Sequence, residues 1–243
     1  MTVPSRGAGT GGSIIHEHPD VTGGWLRPAV FGAMDGLVSN FALLMGVAGG
    51  SAAGNTKPVI LAGLAGLAAG AFSMAAGEYT SVASQSEFAR AQVDIERVEI
   101  TANDAGEQAE LAEMYVQKGL SAELATEVAA QIHDDLENAV RVHAREEFGV
   151  DTDDLASPRL AAASSFLAFA VGALIPLLPF LIGITSLWPT IAVSLAALFG
   201  CGAVVTRVTD RPWWLGGTPQ LVLGSLAAAL TYLVGDLVGA SGI

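Results

Sequence analysis

Cysteine is almost missing from this chain. Cys201 is the single one in 243 residues and lies inside an apolar run, so no intramolecular disulfide and no cysteine-built zinc finger or iron–sulfur cluster can form. Charged residues are also few, 14% against roughly 25% in an average soluble domain. Beside a hydrophobic share of 51%, that shortage argues against an ordinary soluble enzyme and against a disordered chain. Positive charge is scarcer still. With 11 Lys and Arg to 24 Asp and Glu, the net charge of −13 argues against nucleic acid as a partner. No nucleophile–base pair, phosphate loop or cofactor fingerprint is present, and the glycine-rich stretch GLAGLAAG sits inside an apolar run rather than after a strand. An enzyme is the least supported class.

What charge there is collects in one place. Residues 85–157 hold 18 of the 24 acids but only 5 of the 11 bases, so the whole net charge belongs to this segment. The flanks are nearly pure apolar chain. A membrane helix needs about 20 apolar residues, and five stretches qualify: 29–50, 58–78, 160–182, 187–206 and 219–240. Pro28, Pro58, Pro158, Pro189 and Pro219 fall at or near their first turns, where a missing N–H does no harm. Ser157 and Thr218 precede two of them as N-caps. All four tryptophans, Trp25, Trp188, Trp213 and Trp214, lie at span ends, as an interfacial belt requires. This predicts an all-α membrane protein. Its parts are a mobile tail (1–28), two membrane helices (29–78), a cytoplasmic acidic domain (79–157) and three further membrane helices (158–243). With the N-terminus cytoplasmic, every Lys and Arg except Lys57 is on the cytoplasmic side and the C-terminus is extracytoplasmic. No signal peptide is visible.

The acidic segment reads as three helices. The second span runs on without Pro or Gly from Tyr79 to Thr101, so a helix from Pro58 to Ile100 reaches about 65 Å, some 30 Å of it beyond the bilayer. Asn103 caps a second helix, about 104–118, ended by Gly119. Ser121 caps a third, about 122–148, ended by Gly149. Acids recur at neighbour spacing: Glu96 with Glu99, then Glu107, Glu110 and Glu113, then Glu147 with His143 four residues earlier. Like charges so placed repel. Either a divalent cation offsets this, with oxygen ligands suiting Mg²⁺, Ca²⁺ or Mn²⁺ and imidazole extending the range to Fe²⁺, or the segment is a solvated acidic hairpin. No Glu-x-x-His motif occurs, which weakens a di-iron ferritin-like reading.

Polar groups inside the spans are few. Asp35 lies within the first, where a carboxylate costs at least about 2.5–3.5 kcal/mol and usually marks an ion or proton path. Ser39 and Asn40 offer oxygens one turn on. Met74 and Glu78 share a face of the second span. Within the spans, four GxxxG pairs, Gly32–Gly36, Gly46–Gly50, Gly66–Gly70 and Gly235–Gly239, predict close helix packing. Since Gly32 and Gly36 bracket Asp35, and five spans are few to enclose a pore, a homodimer with both Asp35 residues near its axis is expected. His16 and His18 could form a metal-capturing tail or a plain polar one.

DGLVSNFALLMGVAGG in the first span, GAFSMAAGEYTSVASQSE in the second and the acidic insert ending in AREEFG together resemble the vacuolar iron transporter family, over about residues 16–240. The resemblance implies five transmembrane helices in a homodimer, with a three-helix cytoplasmic metal-binding domain between the second and third. It implies Fe²⁺ export from the cytoplasm in exchange for protons, with Mn²⁺ and other divalent ions such as Co²⁺ and Zn²⁺ as further cargo. By motif, Asp35, Met74 and Glu78 match the membrane pathway. Glu96, Glu99, Glu107, Glu110 and Glu147 match the cytoplasmic ligands, with Glu113 as an addition. Some members carry methionines where this chain has His143 and Ala144, a departure that bears on metal preference. The short tail and bacterial-like motifs suggest a bacterial plasma membrane. The alternative function is a membrane-anchored metal sensor or buffer without transport.

Overall fold

The computed structural model describes residues 24–206 and 212–241, and within them the chain forms eight helices and no strand. These are α1 (Leu26–Gly49), α2 (Lys57–Ala102), α3 (Asp104–Gln117), α4 (Ala122–His133), α5 (Leu136–Glu147), α6 (Pro158–Leu181), α7 (Leu187–Val205) and α8 (Trp213–Ser241). Five of them, α1, α2, α6, α7 and α8, are long and apolar enough to cross a bilayer. Their outer faces carry exposed Leu61, Phe72, Val171, Leu230 and Leu237, an arrangement that lipid tolerates and water does not. Trp25, Trp188, Trp213 and Trp214 stand exposed at helix starts. The tail with His16 and His18, and Arg207 and Arg211, lie outside the described residues.

α1 is the central helix, packed against α6, α8, α2 and α7. Glycine makes this possible. A Cβ on Gly36 would stand 2.2 Å from the Phe169 carbonyl oxygen, and one on Gly172 of α6 would stand 2.2 Å from that of Ala33. Farther along, Gly46 and Gly50 meet Gly235 and Gly239 of α8, while Gly66 and Gly70 face Leu43 and Phe169. All four GxxxG pairs are therefore consumed in packing within one chain, and Gly32–Gly36 is covered by α6 rather than free for a partner copy. Gly36→Ala forces two backbones apart and is expected to fall at the upper end of the roughly 1–3 kcal/mol of overpacking. A Cβ on Gly77 meets nothing within 4 Å, so Gly77→Ala should be neutral or stabilising by up to about 1 kcal/mol, since Ala is the better helix former. Thermal melts of the detergent-purified pair check the contrast.

Two sequence expectations need correction. The single helix 122–148 is two helices. Asp135 adopts an extended backbone and its side chain accepts the Asn138 amide at 2.8 Å, an N-cap that starts α5 and stops α4 at His133. The fifth span begins at Trp213, not at Pro219, so Thr218, expected as its N-cap, and Pro219 both sit inside α8. The other caps hold: Asn103, Ser121 and Ser157 accept from Gly106, Leu124 and Leu160. Gly119 and Gly149 end their helices at φ +103° and +65°, where an L side chain is strained.

α2 spans 46 residues, about 69 Å. Its first half lies among the membrane helices. Its far half carries α3, α4 and α5 through two small cores, Leu111–Ala112–Ala125–Ala129 and Ile100–Ala139–Val140. One rigid rod thus joins the membrane bundle to the acidic lobe.

Candidate metal sites

The membrane bundle contains a cavity of about 200 Å³ between α1, α2 and α6, lined by Asp35, Ser39, Asn40, Leu43, Gly66, Gly70, Ser73, Met74 and Phe169. Asp35 and Met74, far apart in sequence, line one cavity because Gly66 and Gly70 let Leu43 of α1 and Phe169 of α6 pack close against α2. Asp35 is half-buried, and its Oδ1 accepts a hydrogen bond from Ser39 Oγ at 2.9 Å. Ser39 and Ser73 stand exposed at the lip. Glu78 is half-buried one turn farther along α2 and does not line the cavity.

The second site is in the acidic lobe. Glu96 on α2, Glu107 on α3, and His143 and Glu147 on α5 each place one donor atom within 4.8 Å of the others. Glu96 is 1% exposed and His143 is fully buried. His143 Nδ1 lies 2.9 Å from Glu96 Oε1 and 2.7 Å from Glu147 Oε1. On its other side His143 Nε2 lies 3.0 Å from His133 Nε2, and His133 Nδ1 lies 2.7 Å from Asp104 Oδ1. Two neutral imidazoles carry two protons. Placed as His133 Nδ1–H to Asp104 and His143 Nε2–H to His133, they satisfy both outer contacts and free the His143 Nδ1 lone pair for a cation; with the proton on Nδ1 instead, His143 donates to the carboxylates beside it. Such a donor set suits a borderline divalent cation.

Burial pushes the Glu96 carboxyl up from 4.5 to about 7, with Glu147, Glu107, Glu99 and Glu110 adding repulsion. Burial also raises Glu107, followed by Glu110, while His143 opposes the rise. The folded metal-free lobe therefore holds a proton on Glu96 more tightly than the unfolded chain does. That contribution to stability is complete below about 4.5 and is lost as pH rises through about 7. A metal ion must displace the proton below that range, so its affinity should fall by up to about tenfold per unit from pH 7 to pH 5. The Mn²⁺-induced rise in melting temperature of the full-length protein is accordingly expected to be larger at pH 8 than at pH 6.

The sequence-predicted acids sort by depth. Glu99 and Glu110 are exposed and close enough to act on Glu96 by charge. Glu113 is exposed and borders a different hollow, between α3 and α4, with Gln108 and Thr126. Glu137 is taken by a two-point ion pair with Arg97, and Glu146 pairs with Lys118. His133 and Asp104 escaped the sequence reading. Their only signal was one more histidine in the acidic segment, ten residues before His143.

Known proteins are similar to this chain along nearly its whole length. The model of the VIT family matches residues 26–236. The chain is 39% identical over 228 residues to a vacuolar iron transporter of Acanthamoeba castellanii (strain ATCC 30010 / Neff), covering 91% of this chain and 82% of that protein. It is 30% identical over 223 residues to vacuolar iron transporter 1 of Oryza sativa subsp. japonica, covering 89% and 88%. Vacuolar iron transporter homolog 2 of the same plant is 36% identical over 217 residues, covering 86% and 88%.

Proposed function

The chain belongs to the VIT family, and on that premise we propose that it is a divalent-metal transporter, taking Fe²⁺ out of the cytoplasm in exchange for protons. Relatives named as iron transporters support iron as cargo and a transport role rather than an enzymatic one. The observation that carries the reading is the cavity at Asp35 and Met74. A carboxylate and a thioether at membrane depth, with polar groups around them, have little use in an inert anchor.

In this reading the acidic lobe faces the cytoplasm of a bacterial cell and collects cations by its charge. An ion binds Glu96, Glu107, His143 and Glu147, with Glu99 and Glu110 at the rim, and passes along α2 by Glu78 to Asp35 and Met74. There it gives up water to carboxylate oxygen, while sulfur favours Fe²⁺ over Mg²⁺. Protons from the far side replace it on Asp35. Where some family members carry methionine, this chain has imidazole at His143 and nothing at Ala144, a set that also admits Mn²⁺, Co²⁺ and Zn²⁺. The cavity lip at Ser39 and Ser73 is open in a single chain, and a homodimer with a second copy laid across α1 and α2 would close it without using the GxxxG pairs.

The test is flux of Fe²⁺, Mn²⁺, Co²⁺ and Zn²⁺ into proteoliposomes under an imposed pH gradient. Uptake that follows the gradient and collapses with a protonophore is expected. The acidic cluster by itself also fits a membrane-anchored metal buffer; bound metal without flux would establish that reading instead.

A further inference from the structure

Asn40 stands on α1 five residues beyond Asp35 and is 2% exposed. Its Nδ2 donates to the backbone carbonyl of Ala173 on α6 at 2.6 Å. A carbonyl only accepts, so this bond fixes the amide: the NH₂ faces α6 and Oδ1 faces the other way. That oxygen is buried and meets no donor, although Asn40 borders the cavity that holds Asp35 and Met74. On α2 it faces Gly66, whose Cβ, if present, would lie 3.1 Å from Oδ1. The hydroxyls of Ser165, Thr190 and Ser194 are also buried without partners, but none lines this cavity. A buried amide oxygen left without a donor is unfavourable, and its presence calls for an occupant.

We propose that Asn40 Oδ1 is a ligand atom of the membrane metal site, standing with the Asp35 carboxylate and the Met74 thioether; this rests on the transport reading above. Its chemistry differs from both. Unlike Asp35 it neither gains nor loses a proton, so it holds the ion while Asp35 changes partner. Unlike Met74 it is a hard donor, and it balances the sulfur so that the site suits Mn²⁺ and Fe²⁺ as well as softer ions. Without it, carboxylate and thioether remain and the preference shifts toward soft cations.

The experiment compares Mn²⁺ and Cd²⁺ uptake into proteoliposomes by the wild-type chain, Asn40→Leu and Asn40→Asp. Asn40→Leu is expected to raise KM for Mn²⁺ about tenfold while moving KM for Cd²⁺ less than about threefold, since only the hard ion loses its preferred donor. Asn40→Asp keeps an oxygen there and is expected to preserve the Mn²⁺ preference and lower KM for Mn²⁺. If Asn40→Leu depresses both ions equally, or neither, Asn40 merely ties α1 to α6 and the ligand assignment is overturned. If Asn40→Leu does not fold, Asn40→Asp decides alone, and an unchanged KM for Mn²⁺ overturns the assignment. Wild-type vesicles that move neither ion sink the transport reading and this inference with it, whereas wild-type flux with an unshifted ion ratio sinks this inference only.

Discussion

Asp35→Asn is expected to abolish metal flux while leaving the protein folded, a loss of about 100-fold or more in proteoliposomes with no drop in melting temperature. The two halves of that expectation come from different properties of one side chain. Structurally, Asp35 accepts a single hydrogen bond, from Ser39 Oγ, and the oxygen of an asparagine accepts it equally well. The shape is unchanged, and an intramembrane charge, worth at least about 2.5–3.5 kcal/mol of penalty, is removed. Chemically, the amide cannot trade a metal ion for a proton, because it carries neither a negative charge nor a titratable oxygen. If flux survived at the wild-type rate, exchange at Asp35 would be disproved, whatever the fate of the acidic lobe. Met74→Leu serves as the contrast. It keeps the volume beside Phe169 and removes only the sulfur, so Fe²⁺ flux should fall severalfold but remain measurable.

Most of the architecture was legible because membrane helices announce themselves. Length, prolines and tryptophans placed all five spans to within a few residues at most ends, and the uninterrupted run from Tyr79 to Thr101 foretold the long α2. The errors were local contests between signals. Pro219 looked like a helix start, but the Trp213–Thr218 stretch is apolar enough to extend the helix backward past it. Asp135 lay within a good helical pattern, and its capping bond to Asn138 overrode that pattern. The GxxxG pairs were correctly read as close contacts, but spacing says nothing about which helix fills the groove, and here it is α1, α6 and α8 of the same chain. Of the candidate ligands, spacing alone picked out the acids that share helix faces. It could not separate buried Glu96 from exposed Glu99 one turn later, since that depends on where α5 docks. For the same reason His133 and Asp104 were invisible until α4 was seen to pack on α3 and α5 on α2 and α4.

The acidic lobe makes a prediction in which stability and binding move in opposite directions. Glu96→Gln with Glu147→Gln should raise the melting temperature of the metal-free protein above pH 7 and weaken metal binding about 100-fold or more, at about 1.4 kcal/mol per tenfold. The first effect follows because Glu96, Glu107 and Glu147 crowd one another in a partly dry site, and burial first, then this repulsion, pushes the Glu96 carboxyl up to about 7. Glutamine keeps the size and removes the charge. The second follows because two of the four converging donors lose the charge that attracts a cation. Were these acids part of an ordinary structural ion pair with protonated His143, the signs would reverse: neutralising them would strand the imidazolium and lower stability. Titration of Mn²⁺ into the full-length chain carrying Asp35→Asn, which silences the membrane site, reads binding, and melts with and without chelator read stability. Glu99→Gln with Glu113→Gln is the matched control. Those exposed acids should change affinity only a few-fold, through Glu99's charge on Glu96, because neither places a donor in the cluster. A lobe stabilised by neutralising its buried acids, and deprived of metal by the same change, has sacrificed stability to keep a binding site ready, and the cation is what makes four such groups tolerable side by side.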